Sequence, residues 1–446
     1  MRRGQAGIMT EKIIRDPVHD VIAFRLDKTA DRLLWELLQT PEFQRLRRVR
    51  QLGLANLAYP GADHSRYGHS LGVLEMCRRI LEQLSRSVTI DEGDYLTVTV
   101  AALLHDLGHG PFSHVFERVS GTHHEVVTRR LIGEEDSEVR RVLSRFDPTL
   151  PARVCALLAG DDHGGGGGGG REASAVPRYL RESISSQLDA DRLDYLLRDD
   201  LMTGSRYGQY DVQWLLRSMT VGGGSGDPRL AVSYKGVSAV EGYLQSRQHM
   251  YRNVYFHKVV RSGEGMLRLA LQRARRLAVQ DRLPGGDLAL SKSLLGQRLT
   301  MPETVGLDDV SVLHCFKLWT ASDDTVLAAL CHGLLFRKLY KTVEIPVDWE
   351  PDRAAAALKR AVDALIHAGG DPAYDLFYDE PADTPYEAVT PDDPAGMNEI
   401  QLVDRAGNLK PFTSGSPFVA SLKHFAFRRI HVRAEWKPLV ASAVIG

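Results

Sequence analysis

Apolar residues recur at helical spacing along most of the first 280 positions. The stretch 27–53, DKTADRLLWELLQTPEFQRLRRVRQLG, has that period, and Thr40-Pro41 marks a helix start, because proline suits a first turn. A second helix is expected from about His69 to Ser85, with Leu71, Val73, Leu74, Met76, Ile80 and Leu81 on its apolar positions. A third begins near Gly93, runs into TVTVAALLHDLGH and is broken by Pro111. Residues 123–160 read as two helices, and helices resume at 176–202 and 211–219. VGGGSGDPRLAVSY reads as a β-hairpin turning at Gly222–Pro228. Residues 236–281 read as one long helix, straight or kinked.

Beyond about 285 the texture changes. Helical pieces at 309–318 and 322–333 are followed by a helix after Glu350, PDRAAAALKRAVDALIHAGG, with Pro351 in its first turn. NEIQLVDRAG and RRIHVRAEW are strand-like. The expected architecture is mainly α-helical: a helical core over 1–280 and a smaller α+β region over 281–446 serving oligomerisation or regulation. Seven glycines, Gly164–Gly170, make 161–172 a flexible loop in this reading. No internal repeat is evident.

Composition narrows the classes. With 43% hydrophobic residues the chain can bury a core, and a net charge of −1 argues against a chain-wide polybasic binder of nucleic acid. The four cysteines form no CxxC pair, so neither a zinc ribbon nor a disulfide framework is indicated and a reducing compartment fits. The opening MRRGQAGIMTEK lacks the apolar stretch of a signal peptide, and no run approaches a membrane span. The expectation is a cytoplasmic protein with no membrane partner.

The histidines are not scattered. Seven of the sixteen fall between His64 and His124, around the sequence His105-Asp106-Leu107-Gly108-His109-Gly110-Pro111-Phe112-Ser113-His114. Adjacent His and Asp at a helix end can offer one cation an imidazole nitrogen and a carboxylate oxygen. His69 on the preceding helix and Asp191 in DADRLDYLLRDD are the candidates to complete the set, as facing helices do in helical metal sites. An isolated His-Asp pair arises by chance; here its company of His109, His114 and His123-His124-Glu125 favours a site.

In these stretches the chain resembles the HD superfamily. More narrowly it is similar to the branch of deoxynucleoside triphosphate triphosphohydrolases that includes a mammalian enzyme with a SAM domain beside its HD domain. DPVHDVIAF, TPEFQRLRRVRQLG, YPGADHSRYGHSLGV, HDLGHGPFSHVFE, THHE, DADRLDYLLRD and YFHK carry the resemblance in consistent order over about 16 to 258. Only a short leader precedes the core, so no SAM domain is expected. The resemblance implies a divalent transition metal (Fe, Mn, Zn, Ni or Co) on His69, His105, Asp106 and Asp191, with Mg on the nucleotide phosphates. It implies a catalytic His124 oriented by Glu117, which stands where the relative has aspartate. It makes His109 and His114 phosphate-contacting or catalytic, and sets Arg66 at the α-phosphate. Arg192 and Arg247 would face the phosphates. Gln51, Tyr195 and Asp199 would surround the sugar, and Leu52 and Tyr255 would exclude a 2′-hydroxyl.

Elementary chemistry agrees with these roles. A triphosphate carries about four negative charges, which Arg66, Arg192, Arg247 and Lys258 would balance. Water on a divalent metal has its pKa lowered towards neutrality. Attack at the α-phosphorus expels a 5′-oxygen that needs a proton, and a histidine held by a carboxylate can deliver it. His64 is either a partner of the metal site or a turn cap. Asp194, three residues past Asp191, shares its helical face and either contacts the metal shell or forms a salt bridge. His19 reads as a structural loop histidine, and RLRRVR (45–50) as a solvated face.

The resemblance also implies a homo-oligomer, a tetramer, that binds an activating nucleotide between subunits. Lys12, Ile13, Ile14, Gln44 and Arg47 match part of that pocket, and Arg337 and Lys341 another part. Arg15 and Gln39 depart from it. An amide at Gln39 cannot pair with guanine's N1–H and amino group as a carboxylate does. Two alternatives stand beside the triphosphohydrolase. One is another HD phosphohydrolase, a nucleotidase or a signalling-nucleotide hydrolase, although no Gly-Tyr-Pro follows HHE and no acidic residues follow His-Asp. The other is a nucleotide- or nucleic-acid-binding regulator, which would not need four metal ligands.

Overall fold

The computed structural model describes residues 11–159, 176–223, 226–386 and 399–445. The glycine run 161–172 lies outside them. The centre of the fold is the helix Arg66–Leu84, whose apolar residues Leu71, Val73, Leu74, Met76 and Ile80 are all buried. Burying each such side chain contributes roughly 1.5–3 kcal/mol. It packs against the helices Glu92–Leu104 and Ala190–Thr203. The second packing is close because position 72 is glycine: a Cβ there would lie 1.9 Å from Asp194 Oδ1 and 2.3 Å from Arg198 Nη2. That approach brings Asp194 against His69.

Several elements depart from the periodicity reading, each for a local reason. Residues 27–53 split into helices Thr29–Gln39 and Pro41–Arg45 and a 3-10 turn Leu46–Arg48, because Thr40 is extended and its hydroxyl caps Phe43 N–H. The helix ending in the His-Asp pair stops at Leu104, well before Pro111, and HDLGH forms the turn beyond it. Residues 123–160 form three helices, His124–Gly133, Glu138–Phe146 and Leu150–Leu158. The expected helix 236–281 is interrupted: Val237–Met250 passes into a π-helical turn, Tyr251–Tyr255, and a new helix, Lys258–Val279, starts with His257 as its cap. The periodicity reading missed the hairpin Glu11–Asp16/Asp20–Arg25 and the helices Leu288–Leu294 and Met301–Gly306.

The C-terminal half is not a separate layer. Strand Gln401–Val403 runs parallel to Arg229–Ser233 and completes a four-stranded sheet with Met219–Gly222 and Leu409–Pro411. Ile400, Leu402, Phe412 and Val419 belong to the same apolar cluster as the helix Arg66–Leu84. Helix Lys258–Val279 instead shares a cluster with Asp309–Trp319, Thr325–Leu335, Phe112 and Phe116. A third cluster joins helices Pro351–His367 and Lys437–Ile445 to the sheet of Lys341–Ile345, Arg428–Val432 and Leu376–Asp379. Among the described residues no helix is long and apolar enough to cross a membrane.

Candidate metal centre and cleft

Two helices and one turn bring four donors together. His69 comes from the first turn of Arg66–Leu84, His105 and Asp106 from the turn after Leu104, and Asp191 from the first turn of Ala190–Thr203. Asp189 caps that last helix, accepting from Arg192 N–H at 2.8 Å, and so fixes Asp191 two residues later. Asp191 Oδ1 lies 2.9 Å from His69 Nε2 and 3.8 Å from His105 Nε2. Asp106 reaches His69 Nε2 at 3.8 Å and His105 Nε2 at 3.5 Å.

The inner nitrogens fit a cation. His105 Nδ1–H donates to Ala102 O at 2.9 Å, and His69 Nδ1 is held by Asp194 Oδ2 at 2.8 Å, so both Nε2 atoms face the acids. Neither buried Nε2 has a hydrogen bond of acceptable geometry. Orientation of ligand imidazoles through the far nitrogen is how metal sites fix tautomer and aim. Burial disfavours a charge on His69, yet Asp191 and Asp194 outweigh it and push its pKa up to about 10. Asp106 is held well below the carboxylate range: burial opposes this, and Arg66, His105 and His109 overcome it. Asp194 also pairs with Arg198 and with His19 Nε2 at 2.7 Å, and Arg198 reaches Asp16. His19 is thus the structural loop histidine that the sequence suggests: it sits in the turn between the strands Glu11–Asp16 and Asp20–Arg25 and buttresses the centre through Asp194. We expect Asp194→Asn to weaken metal affinity by about 10–100-fold, measured by competition against a chelator.

Next to this centre stands a second polar group. Glu117 Oε1 is 2.9 Å from His124 Nδ1 and 3.4 Å from His109 Nδ1, and its Oε2 is 3.4 Å from His114 Nδ1. His109 and His124 stack at 3.8 Å between ring centroids. Burial would raise the Glu117 pKa, but the surrounding imidazoles of His109, His114 and His124 hold it far below the usual range. Burial and the nearby Arg66 push His109 down to about 4. Gly108 permits the packing of this turn on the helix His124–Gly133, since a Cβ there would sit 2.2 Å from His124 O.

Both groups open into one cavity of about 500 Å³, within the size range of small-molecule sites. Of the residues the sequence singles out, Gln51, Leu52, Arg66, Asp106, His109, His114, His124, Asp191, Tyr195, Asp199 and Tyr255 line it. Tyr255 Oη donates to Asp199 Oδ2 at 2.8 Å, and His64 Nε2 meets Asp199 Oδ1 at 2.7 Å, so His64 supports that acid and not the metal donors. Arg66 is tied to Asp106 and to Ser113 Oγ.

Three expected cations are not on the wall. Arg247 is engaged by Asp383 in two hydrogen bonds, at 2.9 and 3.0 Å, and by the carbonyl of Pro385, so it does not face the cavity as a free phosphate ligand. Arg192 turns to Asp189 at 3.7 Å. Lys258 is exposed at the start of its helix. The sequence reading missed Arg118, Tyr251, Arg261 and Glu264, which do line the cavity. Arg118 and Tyr251 are each one helical turn from a named residue, His114 and Tyr255, and that spacing was the available signal.

The turn leading to His114 is strained: Phe112 and Ser113 both have φ of 51°. Asp309 holds it, accepting from Phe112 N–H at 2.8 Å and from Arg50 N–H at 3.0 Å. Burial pushes the Asp309 pKa up to about 6, against the two amide donors. The folded state thus binds this proton more tightly than the unfolded chain, so ionisation costs stability as pH rises from about 4 to about 6. At roughly 1.4 kcal/mol per unit this amounts to about 3 kcal/mol. We expect the stability advantage of wild type over Asp309→Asn to shrink by that order between pH 4 and pH 7 in denaturant titrations. A gap that widens would contradict the burial argument.

The residues matched to a regulatory pocket lie in three places within one chain. Lys12, Ile13 and Ile14 lie on the strand Glu11–Asp16. Arg47 donates to Gln44 Oε1 at 2.8 Å and stacks 3.6 Å over Tyr67. Arg337 and Lys341 line a different cavity, of about 600 Å³.

A helical core with two histidines and two aspartates converging beside a cation-lined cleft defines the class of metal-dependent HD phosphohydrolase folds. Residues 66–199 match the HD domain and 210–282 the HD associated region. The chain is 36% identical over 413 residues to the uncharacterized protein YwfO of Bacillus subtilis (strain 168), covering 92% of this chain and 89% of that one. The chain therefore belongs to the HD-domain family that includes this protein. It is 29% identical over 273 residues to the deoxynucleoside triphosphate triphosphohydrolase SAMHD1 of Bos taurus, covering 56% of this chain and 45% of that protein. It thus spans less than half the length of that relative. The crystal structure of a phosphohydrolase from Bacteroides thetaiotaomicron VPI-5482 superposes with a TM-score of 0.76 at 27% identity, covering 95% of this chain and 99% of that one.

Proposed function

We propose that this chain hydrolyses deoxynucleoside triphosphates to deoxynucleoside and inorganic triphosphate. The observation that carries the reading is the carboxylate-held imidazole: His124 on Glu117, with His124 facing the same cavity as Asp106, Asp191 and Arg66. A divalent transition metal on His69, His105, Asp106 and Asp191 would supply a water nucleophile at neutral pH and neutralise charge at phosphorus. Arg66, once released from Asp106 by an entering phosphate, contributes two N–H donors to the α-phosphate. His124 gives its proton to the departing 5′-oxygen, and Glu117 orients the ring and stabilises its charged form. At the other end the Asp199–Tyr255 pair receives the sugar 3′-hydroxyl, and Leu52 with Tyr255 leaves no room for a 2′-hydroxyl. Magnesium would accompany the phosphates, and a nucleotide-responsive oligomer follows from the residues at Lys12–Ile14, Gln44, Arg47, Arg337 and Lys341.

One observation favours a second reading. With Arg247 paired to Asp383, the cleft lacks one cation expected to meet a triphosphate tail, which suits a nucleotide with fewer phosphates. The test is product identity. Purified protein is incubated with each dNTP and NTP, singly and as a dNTP mixture, over several divalent metals, and products are separated by anion-exchange chromatography. Deoxynucleoside with triphosphate supports the first reading; stepwise release of single phosphates supports the second.

A further inference from the structure

Glu117 gathers more imidazoles than a positioning carboxylate needs. One partner suffices to orient His124, yet His109 and His114 also come within 3.4 Å of its oxygens. One donor atom from each of His109, His114, Glu117 and His124 lies within 4.8 Å of every other. Tetrahedral ligands about 2.0–2.1 Å from an ion stand roughly 3.3 Å apart. Closing the set around an ion therefore brings any two donor atoms together by about 1.5 Å at most.

The surroundings of His109 strengthen the case. Its Nε2 lies 3.2 Å from Asp106 Oδ1. Its Nδ1 faces Glu117 Oε1 at 3.4 Å, is buried and makes no hydrogen bond of acceptable geometry. His114, with its side chain 65% exposed, gives an ion a way in from solvent.

We propose that His109, His114, Glu117 and His124 form a second site for a divalent transition metal, distinct from the one on His69, His105, Asp106 and Asp191. Three imidazoles and one carboxylate select zinc, cobalt or nickel over magnesium, whose preference is for oxygen. An ion there replaces the hydrogen bond between Glu117 and the Nδ1 of His124, the contact that orients the ring and stabilises its charged form, so metal beyond one equivalent inhibits. The binding stands on geometry alone, whereas the inhibition rests on the proposed role of His124.

The test is a metal count on the full chain, stripped with a chelator and reloaded with cobalt(II) or zinc(II). Wild type is expected to hold two equivalents, Asp191→Ala one and His114→Ala one. The intense visible absorption of tetrahedral cobalt should persist in Asp191→Ala and fall in His114→Ala. Because His114 is largely exposed, its substitution leaves the core packing intact, and Glu117→Gln provides a second variant with the same expected loss. One equivalent in wild type, or two retained in both His114→Ala and Glu117→Gln, would overturn the proposal. Two equivalents in wild type, with no dNTP turnover even when only one equivalent is loaded, would instead leave this site standing and refute the proposed function.

Discussion

Asp191→Ala is expected to abolish turnover, with kcat falling by about 10³-fold or more, because a catalytic metal contributes several kcal/mol to the transition state and each 1.4 kcal/mol is tenfold. Among the four donors Asp191 is the cleanest to remove. His69 is buried and tied to the Asp194 network, so its loss would also disturb the core. Asp106 anchors Arg66. Asp191 keeps about a third of its side chain exposed, and its backbone is set by the Asp189 cap, which the substitution leaves in place. Product formation and bound metal should therefore fall together while the circular dichroism spectrum stays the same. A variant with wild-type kcat would refute the four-donor assignment.

His124→Ala should lower kcat by about 10²–10⁴-fold with little change in KM, the range for loss of a positioned general acid. The role can be separated from mere packing. A phosphoester whose leaving group is a nitrophenolate departs without a proton, so the variant should retain most of its activity on it. Equal losses on both substrates would sink the proton-donor role. Glu117→Gln should have a smaller effect on the natural substrate, since the amide still accepts a hydrogen bond from His124 but no longer stabilises its charge.

What was readable in the sequence divides along sequence separation. The long helices announced themselves by period, and the metal donors by residue type and spacing around HDLGH and DADRLD. The breaks came from single backbone choices that periodicity averages away, such as extended Thr40 or the π-helical turn Tyr251–Tyr255. The first hairpin was missed because its strands are six residues long and mostly exposed, leaving Ile22 and Phe24 as the buried hydrophobic residues. Arg247 misled for a different reason. Its partner Asp383 lies 136 residues away, and a cation in a family-like stretch carries no local sign that it is already neutralised. The Asp309 clamp on Phe112, 197 residues distant, was equally invisible. Conversely, Asp194 was assigned correctly to the face of Asp191, but its function under His69 depends on the glycine at 72.

That distant clamp has a consequence for biosynthesis. A nascent chain carries every proposed metal donor once residue 191 has been translated, yet the acceptor that fixes the strained turn before His114 arrives only with residue 309. At about 5–20 residues per second the interval is on the order of 10 s. Throughout it the ribosome-bound polypeptide can acquire an ion without owning a finished pocket, so metal loading precedes completion of the cleft.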